Sequence, residues 1–305
     1  RAADGAWIGT GRAGHHHGIG AVATLFHEQV ALCRSEHAGD VRAHRCRVGR
    51  LAVLRVARID HPVLDGDDRD PAPANPPAGF EGVLTHRPWQ GLVDFSRAVG
   101  AGITTSVAVS TGARDAAGHW QPDMARRFFA FNRAIGGEIV ACEFFNEPTA
   151  PFLAAVPKGW GAADYARDFH AFHAFARDVA PGMLVLGPGS VGEAHGKEGD
   201  LTTRQLLQAS SPAVDVFSYH HYGAASLRCA DGDWWPQTTR RDALSEPWLA
   251  TTSRGFAYYG ALRDAFEPGA PIWLTETADA VCGGNPWAKT FLDSFRYRDQ
   301  LGRLA

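Results

Sequence analysis

Short apolar runs alternate with longer amphipathic stretches along the chain from residue 83 onward. The apolar runs have the length of buried strands, whereas the stretches between them carry apolar residues at the three- and four-residue spacing of a helix. The predicted strands are residues 51–56, 103–109, 138–145, 184–186, 214–219 and 271–276. The predicted helices are residues 88–100, 122–136, 163–180, 201–209, 246–266 and 287–301. Alternation of this kind is typical of βα units around a parallel sheet.

The number of these units indicates a barrel. A chain of 305 residues is long enough for a (β/α)8 barrel in one domain. If residues 51–56 form strand 2 of such a barrel, residues 138–145 form strand 4 and residues 271–276 form strand 7. The chain then ends after helix 7, before a strand 8 that would close the sheet. We therefore predict an α/β fold, a (β/α)8 TIM-type barrel that is truncated, with an open sheet edge.

The first part of the chain differs in character from the rest. Residues 1–61 contain seven of the 14 His and no Lys, and apolar periodicity is poor before residue 51. Two interpretations remain open, a low-complexity or disordered leader and a segment translated from a shifted reading frame. The sequence thus predicts an irregular leader over residues 1–60 and a catalytic barrel over residues 61–305 that is incomplete at its C-terminus.

Two motifs in this leader do not predict a cofactor or metal site. Residues 9–14 match GxGxxG, but the apolar run before them is too short for the strand that a dinucleotide site requires. His15, His16 and His17 are adjacent, and adjacent side chains cannot all face one ion. No cofactor and no metal are predicted.

Charge and cysteine content exclude several other classes of protein. A net charge of −3 with 21% charged residues argues against a nucleic-acid binder and is compatible with a carbohydrate partner. The sequence contains no run of 18 apolar residues, so no transmembrane segment is predicted.

The five Cys form no CxxC pair and no zinc spacing, so neither a disulfide framework nor a structural metal is indicated. The chain begins at Arg1 without an apolar signal core, which suggests that the true start is missing.

Two glutamates lie at the carboxyl ends of two different predicted strands. Glu147 follows strand 138–145, and Glu276 ends strand 271–276. Barrel enzymes keep their chemistry at this end of the strands. One such Glu alone is also typical of a loop carboxylate that caps the next helix, but two of them favour glycoside hydrolysis by paired carboxyl groups. Asn146, directly before Glu147, can hydrogen-bond a sugar hydroxyl.

Polar aromatic residues and a glycine pair lie near Glu276 in the predicted barrel. His221 and Tyr222 end the neighbouring strand, where either could orient Glu276 or tune its pKa, and a histidine satisfied at the barrel rim is the alternative. Gly283 and Gly284 supply backbone that can approach a ligand closely, or form an ordinary loop.

These pieces resemble a known family, the heparanase-like glycoside hydrolases of family 79, within the clan whose acid/base and nucleophile lie on barrel strands 4 and 7. The resemblance covers about residues 71–305. It is carried by GluPhePheAsnGluPro (143–148), SerTyrHisHisTyr (218–222), TrpLeuThrGluThr (273–277), GlyGlyAsnPro (283–286) and ThrPheLeuAspSerPheArgTyrArgAspGlnLeuGly (290–302).

The resemblance implies roles for individual residues. Glu147 matches the acid/base and Glu276 the nucleophile, while His221 matches a rim histidine near the substrate. Gly283 and Gly284 match a loop whose backbone contacts a glucuronate carboxylate. The predicted substrate-binding residues are therefore Asn146, His221, Tyr222, Gly283 and Gly284.

The family also has a first barrel strand and a C-terminal β-sandwich. Neither is recognisable in this sequence, since residues 1–50 contain no clear strand and nothing follows helix 7. The resemblance allows a secreted or membrane-associated protein.

The sequence therefore predicts a retaining glycosidase that cleaves β-glucuronosyl linkages by a two-glutamate double displacement. Its expected partner is a glucuronate-containing glycoside or polysaccharide. Two alternatives are another member of the same clan, acting on β-glucosides or xylosides, and an inactive fragment that cannot close its barrel.

Overall fold

The computed structural model describes residues 53–56, 76–80, 82–195, 199, 201–211, 214–227 and 236–305. The GxGxxG match, the three adjacent histidines and nearly all of the predicted leader lie outside the described residues. One short strand, Val53–Val56, falls inside the segment predicted as a leader, at the place where a strand is predicted.

Six parallel strands form one sheet whose spatial order follows the order along the chain. They are β1 (Val53–Val56), β2 (Gly102–Ser106), β3 (Ile139–Glu143), β4 (Leu184–Ser190), β5 (Val216–Tyr222) and β6 (Ile272–Ala278). Each predicted strand is present, which confirms the alternation of strands and helices. β4 continues four residues beyond its predicted end, because its Gly and Pro residues stay in the sheet through a bulge.

Helices follow the strands, as the periodicity predicts. Those of the described residues are α1 (His86–Val99), α2 (Asp123–Ala134), α3 (Ala162–Val179), α4 (Thr203–Ser210), α5 (Glu246–Leu249), α6 (Thr251–Phe266) and α7 (Phe291–Leu304). The single helix predicted over residues 246–266 is divided at Ala250. The last helix begins four residues later than predicted, after Lys289 takes a φ of 62°. Within the described ranges, every helix is too short or too polar to cross a membrane.

Local sequence signals account for several helix ends. At the start of α4, Thr202 accepts a hydrogen bond from the backbone of Gln205, whose side chain accepts one from the backbone N–H of Thr202. This reciprocal arrangement satisfies two helix-end groups. At the end of α1, Gly100 takes a φ of 65°, a conformation that glycine adopts without steric cost.

Aromatic side chains form the packing between β3 and the helices that cover it. Phe144, which follows β3, is fully buried against Phe172 of α3 and Trp120, with ring centroids 5.3 and 5.5 Å away. Phe129 of α2 lies edge-on to Phe175 of α3 at 5.4 Å. Burying each ring contributes about 1.5–3 kcal/mol. Aromatic side chains therefore form much of the core in this part of the fold.

The sheet is strongly curled. β3 and β6 are three positions apart, which in a flat sheet corresponds to about 14 Å. The hydroxyl of Thr275 on β6 nevertheless donates to Oε1 of Glu143 on β3 at 2.7 Å. The inner faces of these strands must therefore meet, as they do in a barrel. In the described part of the chain β1 and β6 do not pair with each other, so the fold is an open, incomplete (β/α)8 TIM-type barrel.

Candidate active site

Glu147 lies on the loop that leaves the carboxyl end of β3. Its φ is 60°, a left-handed conformation that disfavours a non-glycine residue by about 1–3 kcal/mol. Its backbone N–H donates to the carbonyl of Gly189 at 3.2 Å, and its carbonyl accepts from the N–H of Ala150 at 2.8 Å. These two bonds hold the conformation, so the direction of the carboxyl side chain is fixed. Asn146, before it, is partly buried.

A bulge in β4 supports this loop. The register of β4 against β5 skips one residue between Pro188 and Ser190, and the extra residue is Gly189, with a φ of 72°. A Cβ atom at this position would lie 3.2 Å from the carboxyl group of Glu143 and 3.2 Å from the carbonyl oxygen of Phe145. Glycine is needed here because the backbone approaches both groups closely.

A second bulge aims Glu276. The register of β6 against β5 passes directly from Leu274 to Glu276, which leaves Thr275 as the extra residue. Consecutive side chains of a regular strand point to opposite faces, and a bulge removes this alternation. Both side chains therefore reach the interior of the half-barrel. Thr275 donates to Glu143, and Oε1 of Glu276 accepts a hydrogen bond from the hydroxyl of Tyr222.

His220 of β5 lies between the two glutamates. Its Nδ1 atom is 3.0 Å from Oε1 of Glu147 and 3.9 Å from Oε2 of Glu276. One oxygen of Glu147, one oxygen of Glu276 and a ring nitrogen of His220 all lie within 4.8 Å of one another. The His220 side chain is fully buried, and both carboxyl side chains are 12% exposed. The structure therefore brings Glu147 and Glu276 together at one site.

His221, in contrast, points to the other side of β5. Its Nε2 atom lies 3.4 Å from the hydroxyl of Thr251 and 3.5 Å from that of Thr252, both in α6. The structure does not bring His221 to the two carboxyl groups. The signal that distinguishes the two histidines was present in the sequence, because residues two apart share a face of a strand. Tyr222, which contacts Glu276, shares its face with His220 and not with His221.

Burial keeps His221 uncharged. Desolvation, helped by the nearby His195, Arg296 and Arg254, lowers its pKa to about 3. The ring lies against Gly255 of α6, where a Cβ atom would be 3.1 Å from Nδ1 of His221. His221 therefore contributes to the packing of α6 on β5.

Replacement of His221 by Gln is expected to reduce the loss of stability in acid. The pKa of His221 in the folded state, about 3, is below the ordinary value of 6.5. At pH values between about 3 and 6.5, the unfolded chain therefore binds a proton at this residue that the folded chain does not. The stability that is present above pH 6.5 is therefore lost as the pH falls toward 3. Between about pH 7 and about pH 5, the free energy of unfolding of the unmodified chain should fall about 2 kcal/mol more than that of the variant. Urea unfolding at both pH values measures this difference. An equal fall in the free energy of unfolding for the two proteins would contradict the prediction.

The glycine pair follows β6, at the same rim as Glu276. Gly283 and Gly284 both have a φ of 78°. The carbonyl of Gly284 accepts from the hydroxyl of Ser226 at 2.7 Å, and the N–H of Asn285 donates to Asp279 at 3.1 Å. Burial raises the pKa of Asp279, although the Asn285 N–H opposes this. The loop is therefore held in place by buried polar contacts.

Cys282, directly before the glycine pair, has a φ of 62° and is disulfide-bonded. The cysteine spacing gave no indication of this bond. Its partner lies outside the described residues, because Cys142 is a buried free thiol.

In the ranges that the structure describes, Glu147, His220 and Glu276 form the group of side chains spaced closely enough to hold a metal ion. Two carboxylates and an imidazole are acceptable ligands for several divalent metals. The same three groups are the acid–base candidates of the site, so their spacing does not by itself predict a metal.

The half-barrel and the two opposed carboxyl groups at the carboxyl ends of its strands define a glycoside hydrolase domain. The chain belongs to glycosyl hydrolase family 79, because the model of the family's N-terminal domain matches residues 77–302.

Curated relatives agree with this assignment. Heparanase of Rattus norvegicus is 28% identical over 171 residues, which are 55% of this chain and 30% of that protein. Heparanase-like protein 2 of Arabidopsis thaliana is 26% identical over 239 residues, which are 73% of this chain and 41% of that protein. The chain thus spans well under half the length of these relatives.

Similar solved structures are more distant. The catalytic domain of a GH26 endo-β-1,4-mannanase from Bacillus sp. JAMB-750 is 16% identical, with a TM-score of 0.45 over 72% of this chain and 56% of that one. A glucosidase from Croceicoccus marinus is 18% identical, with a TM-score of 0.47 over 77% of this chain and 46% of that one.

Proposed function

We propose that this domain performs retaining hydrolysis of β-glucuronosyl linkages, with Glu276 as nucleophile and Glu147 as acid/base. The observation that carries this proposal is the short distance between them, within 4.8 Å for one oxygen of each. Retaining glycosidases have carboxyl groups about 5–5.5 Å apart, whereas inverting enzymes need about 6.5–9.5 Å to admit a water molecule.

In the first step, the carboxylate of Glu276 attacks the anomeric carbon of the sugar. The glycosidic C–O bond breaks, and the protonated carboxyl group of Glu147 gives its proton to the leaving oxygen. The aglycone departs as an alcohol, and the sugar remains bound to Glu276 as an ester.

In the second step, the carboxylate of Glu147 takes a proton from a water molecule that attacks the anomeric carbon. The ester bond to Glu276 breaks, and the sugar leaves with its original anomeric configuration. Both residues then have their starting protonation states.

The neighbouring side chains support these roles. Tyr222 donates a hydrogen bond to Oε1 of Glu276, which orients the nucleophile. His220 contacts Oε1 of Glu147 at 3.0 Å and so restrains the acid/base. Asn146, beside Glu147, is assigned to a sugar hydroxyl in this proposal.

The preference for glucuronate rests on the loop after β6. The positive φ angles of Gly283 and Gly284 expose backbone that can approach a ligand without a side chain in between. Backbone N–H groups bind carboxylates well in such turns. Membership of family 79 supports the assignment of this loop to the sugar carboxylate.

A mechanism-based covalent inhibitor with the shape of β-glucuronate tests the proposal. The expected result is a single label on the peptide that contains Glu276, detected by mass spectrometry. An inhibitor with a hydroxymethyl group in place of the carboxylate should label at least about tenfold more slowly, since a lost charged hydrogen bond is worth about 1.5–3 kcal/mol.

The controls separate the parts of the proposal. Glu276→Gln should remove the label, because an amide does not attack the inhibitor. Equal labelling by a glucose- or xylose-shaped inhibitor would contradict the glucuronate preference while leaving the nucleophile in place. Label on another residue, or none on the folded chain, would contradict the nucleophile.

A further inference from the structure

A third carboxyl group lies in the interior of the half-barrel, below the two glutamates of the site. Glu143 on β3 is 1% exposed. Its Oε1 atom accepts a hydrogen bond from Thr275 at 2.7 Å, and its Oε2 atom is 3.5 Å from Nε2 of His220. A buried carboxylate is strongly destabilising unless it is paired and hydrogen-bonded. The nearby histidine can supply the opposite charge.

His220 is surrounded by carboxyl groups. Glu143 lies 3.5 Å from its Nε2 atom, while Glu147 and Glu276 lie 3.0 and 3.9 Å from its Nδ1 atom. A neutral imidazole has a single N–H and so directs a lone pair at one of these groups. A doubly protonated imidazolium donates on both sides. In a buried site, nearby negative charges favour this charged form.

Two titratable groups near Glu143, besides His220, are uncharged. Burial raises the pKa of the Cys142 thiol on β3 and of the Tyr165 hydroxyl on α3, and the charge of Glu143 adds to both shifts. Among the described residues, the carboxyl groups of β3, its following loop and β6 face His220, and the Tyr222 hydroxyl of β5 is bound to Glu276.

We propose that Glu143 is a positioning residue that holds His220 as an imidazolium, with Nδ1–H directed at Oε1 of Glu147. This inference rests on the proposed function for its catalytic consequence. Since Oε1 of Glu147 accepts from His220, the acid proton is confined to the other oxygen, which is the one available to the leaving group. Glu143 then acts on the reaction through His220 and without touching substrate.

The imidazolium also matches the movement of charge during the reaction. Before the first step, Glu276 carries the negative charge of the catalytic pair. After that step, Glu147 carries it. His220 lies within 4 Å of both carboxyl groups, so one cation is next to the negative charge in either state. The net charge of the four groups is unchanged by the proton transfer, because Glu147 loses a proton as Glu276 loses its charge in the ester.

Nitrogen NMR of the full chain, labelled at histidine with ¹⁵N, tests the proposal without reference to turnover. The ring-nitrogen shifts distinguish a doubly protonated ring from either neutral tautomer. The expected result near pH 7 is a doubly protonated His220 in the unmodified chain, assigned by the signal that His220→Gln removes. A neutral His220 would overturn the proposal.

Glu143→Gln keeps the shape of the side chain and removes its charge, so it should convert His220 to a neutral ring. Glu193→Gln is the matched control, because Glu193 is a similarly buried carboxyl group that hydrogen-bonds Thr203 away from the site. The control should leave His220 doubly protonated. A doubly protonated His220 in Glu143→Gln would also overturn the proposal.

Turnover supplies the second readout. For a substrate whose leaving group needs protonation, Glu143→Gln should lower kcat/KM by about 10- to 100-fold, a part of the effect of general acid catalysis. Glu193→Gln should not lower it. If Glu143→Gln does not fold, Glu143→Asp keeps the charge and should keep the doubly protonated ring. Absence of turnover in every form would contradict the proposed function, whereas the NMR result would still decide the state of His220.

Discussion

Replacement of Glu276 by Gln is expected to lower turnover of a β-glucuronoside by about 10⁴-fold or more, the scale seen when a nucleophile is removed. Gln has the shape of Glu but carries no negative charge to attack the anomeric carbon. It can still accept the Tyr222 hydrogen bond through its amide oxygen, so the local structure should persist. Steady-state kinetics with the purified variant measures the loss, and the melting temperature reports whether the fold is retained.

The stability of the Glu276→Gln variant distinguishes loss of the nucleophile from loss of the fold. Glu276 is a carboxylate in a largely buried site, with its side chain only 12% exposed, so removal of its charge removes the cost of keeping that charge out of water. We expect the Gln variant to be at least as stable as the unmodified chain. Glu193→Gln again serves as a control, since it changes a buried carboxyl group outside the site. Retained turnover in a folded Glu276→Gln variant would exclude Glu276 as the nucleophile.

Much of the fold could be predicted from the sequence because apolar periodicity reports burial directly. The runs that became β2, β3 and β5 are buried along nearly all of their length, as strands of a parallel sheet are. Strand order then follows from the short connections of βα units. The numbering of strands placed Glu147 and Glu276 on the same rim, and the structure brings them together.

The bulges could not be predicted in this way. An extra residue in β6 or β4 changes which side chains face inward, but it leaves the apolar pattern almost unaltered. Gly189 and Thr275 were therefore ordinary strand residues in the sequence. In the structure they support Glu147 and Glu143 through contacts that no local pattern encodes.

Glu143 was missed for a related reason. It stands in the same apolar strand as the residues that precede the AsnGluPro sequence, where a single charged residue gives no periodic signal. Its partners are distant in sequence, since Thr275 is 132 residues away. Only the curl of the sheet brings these groups together. His220 was also missed, since His221 was named in its place, although the alternation of side chains along the strand relative to Tyr222 would have identified it.

Replacement of Glu147 by Gln is expected to slow hydrolysis by an amount that depends on the leaving group. General acid catalysis contributes about 10²- to 10⁴-fold, so a sugar or alkyl aglycone, which must be protonated, should lose rate on this scale. A nitrophenol-type aglycone leaves readily as an anion and should lose little in the first step. For that substrate the second step becomes limiting, because the amide of the variant cannot take a proton from water. Steady-state and burst kinetics with both substrates measure this contrast.

Azide gives an independent control on the same variant. It attacks the ester at Glu276 without needing a base, so it should restore turnover of the nitrophenyl substrate and yield the β-glucuronosyl azide. Retention of the β configuration in that product follows from two displacements at the same carbon. Equal losses with both leaving groups, together with no response to azide, would assign Glu147 a structural role and leave the acid/base to another residue. The left-handed backbone of Glu147, held by Gly189 and Ala150, favours the catalytic role, since strained residues cluster at functional sites.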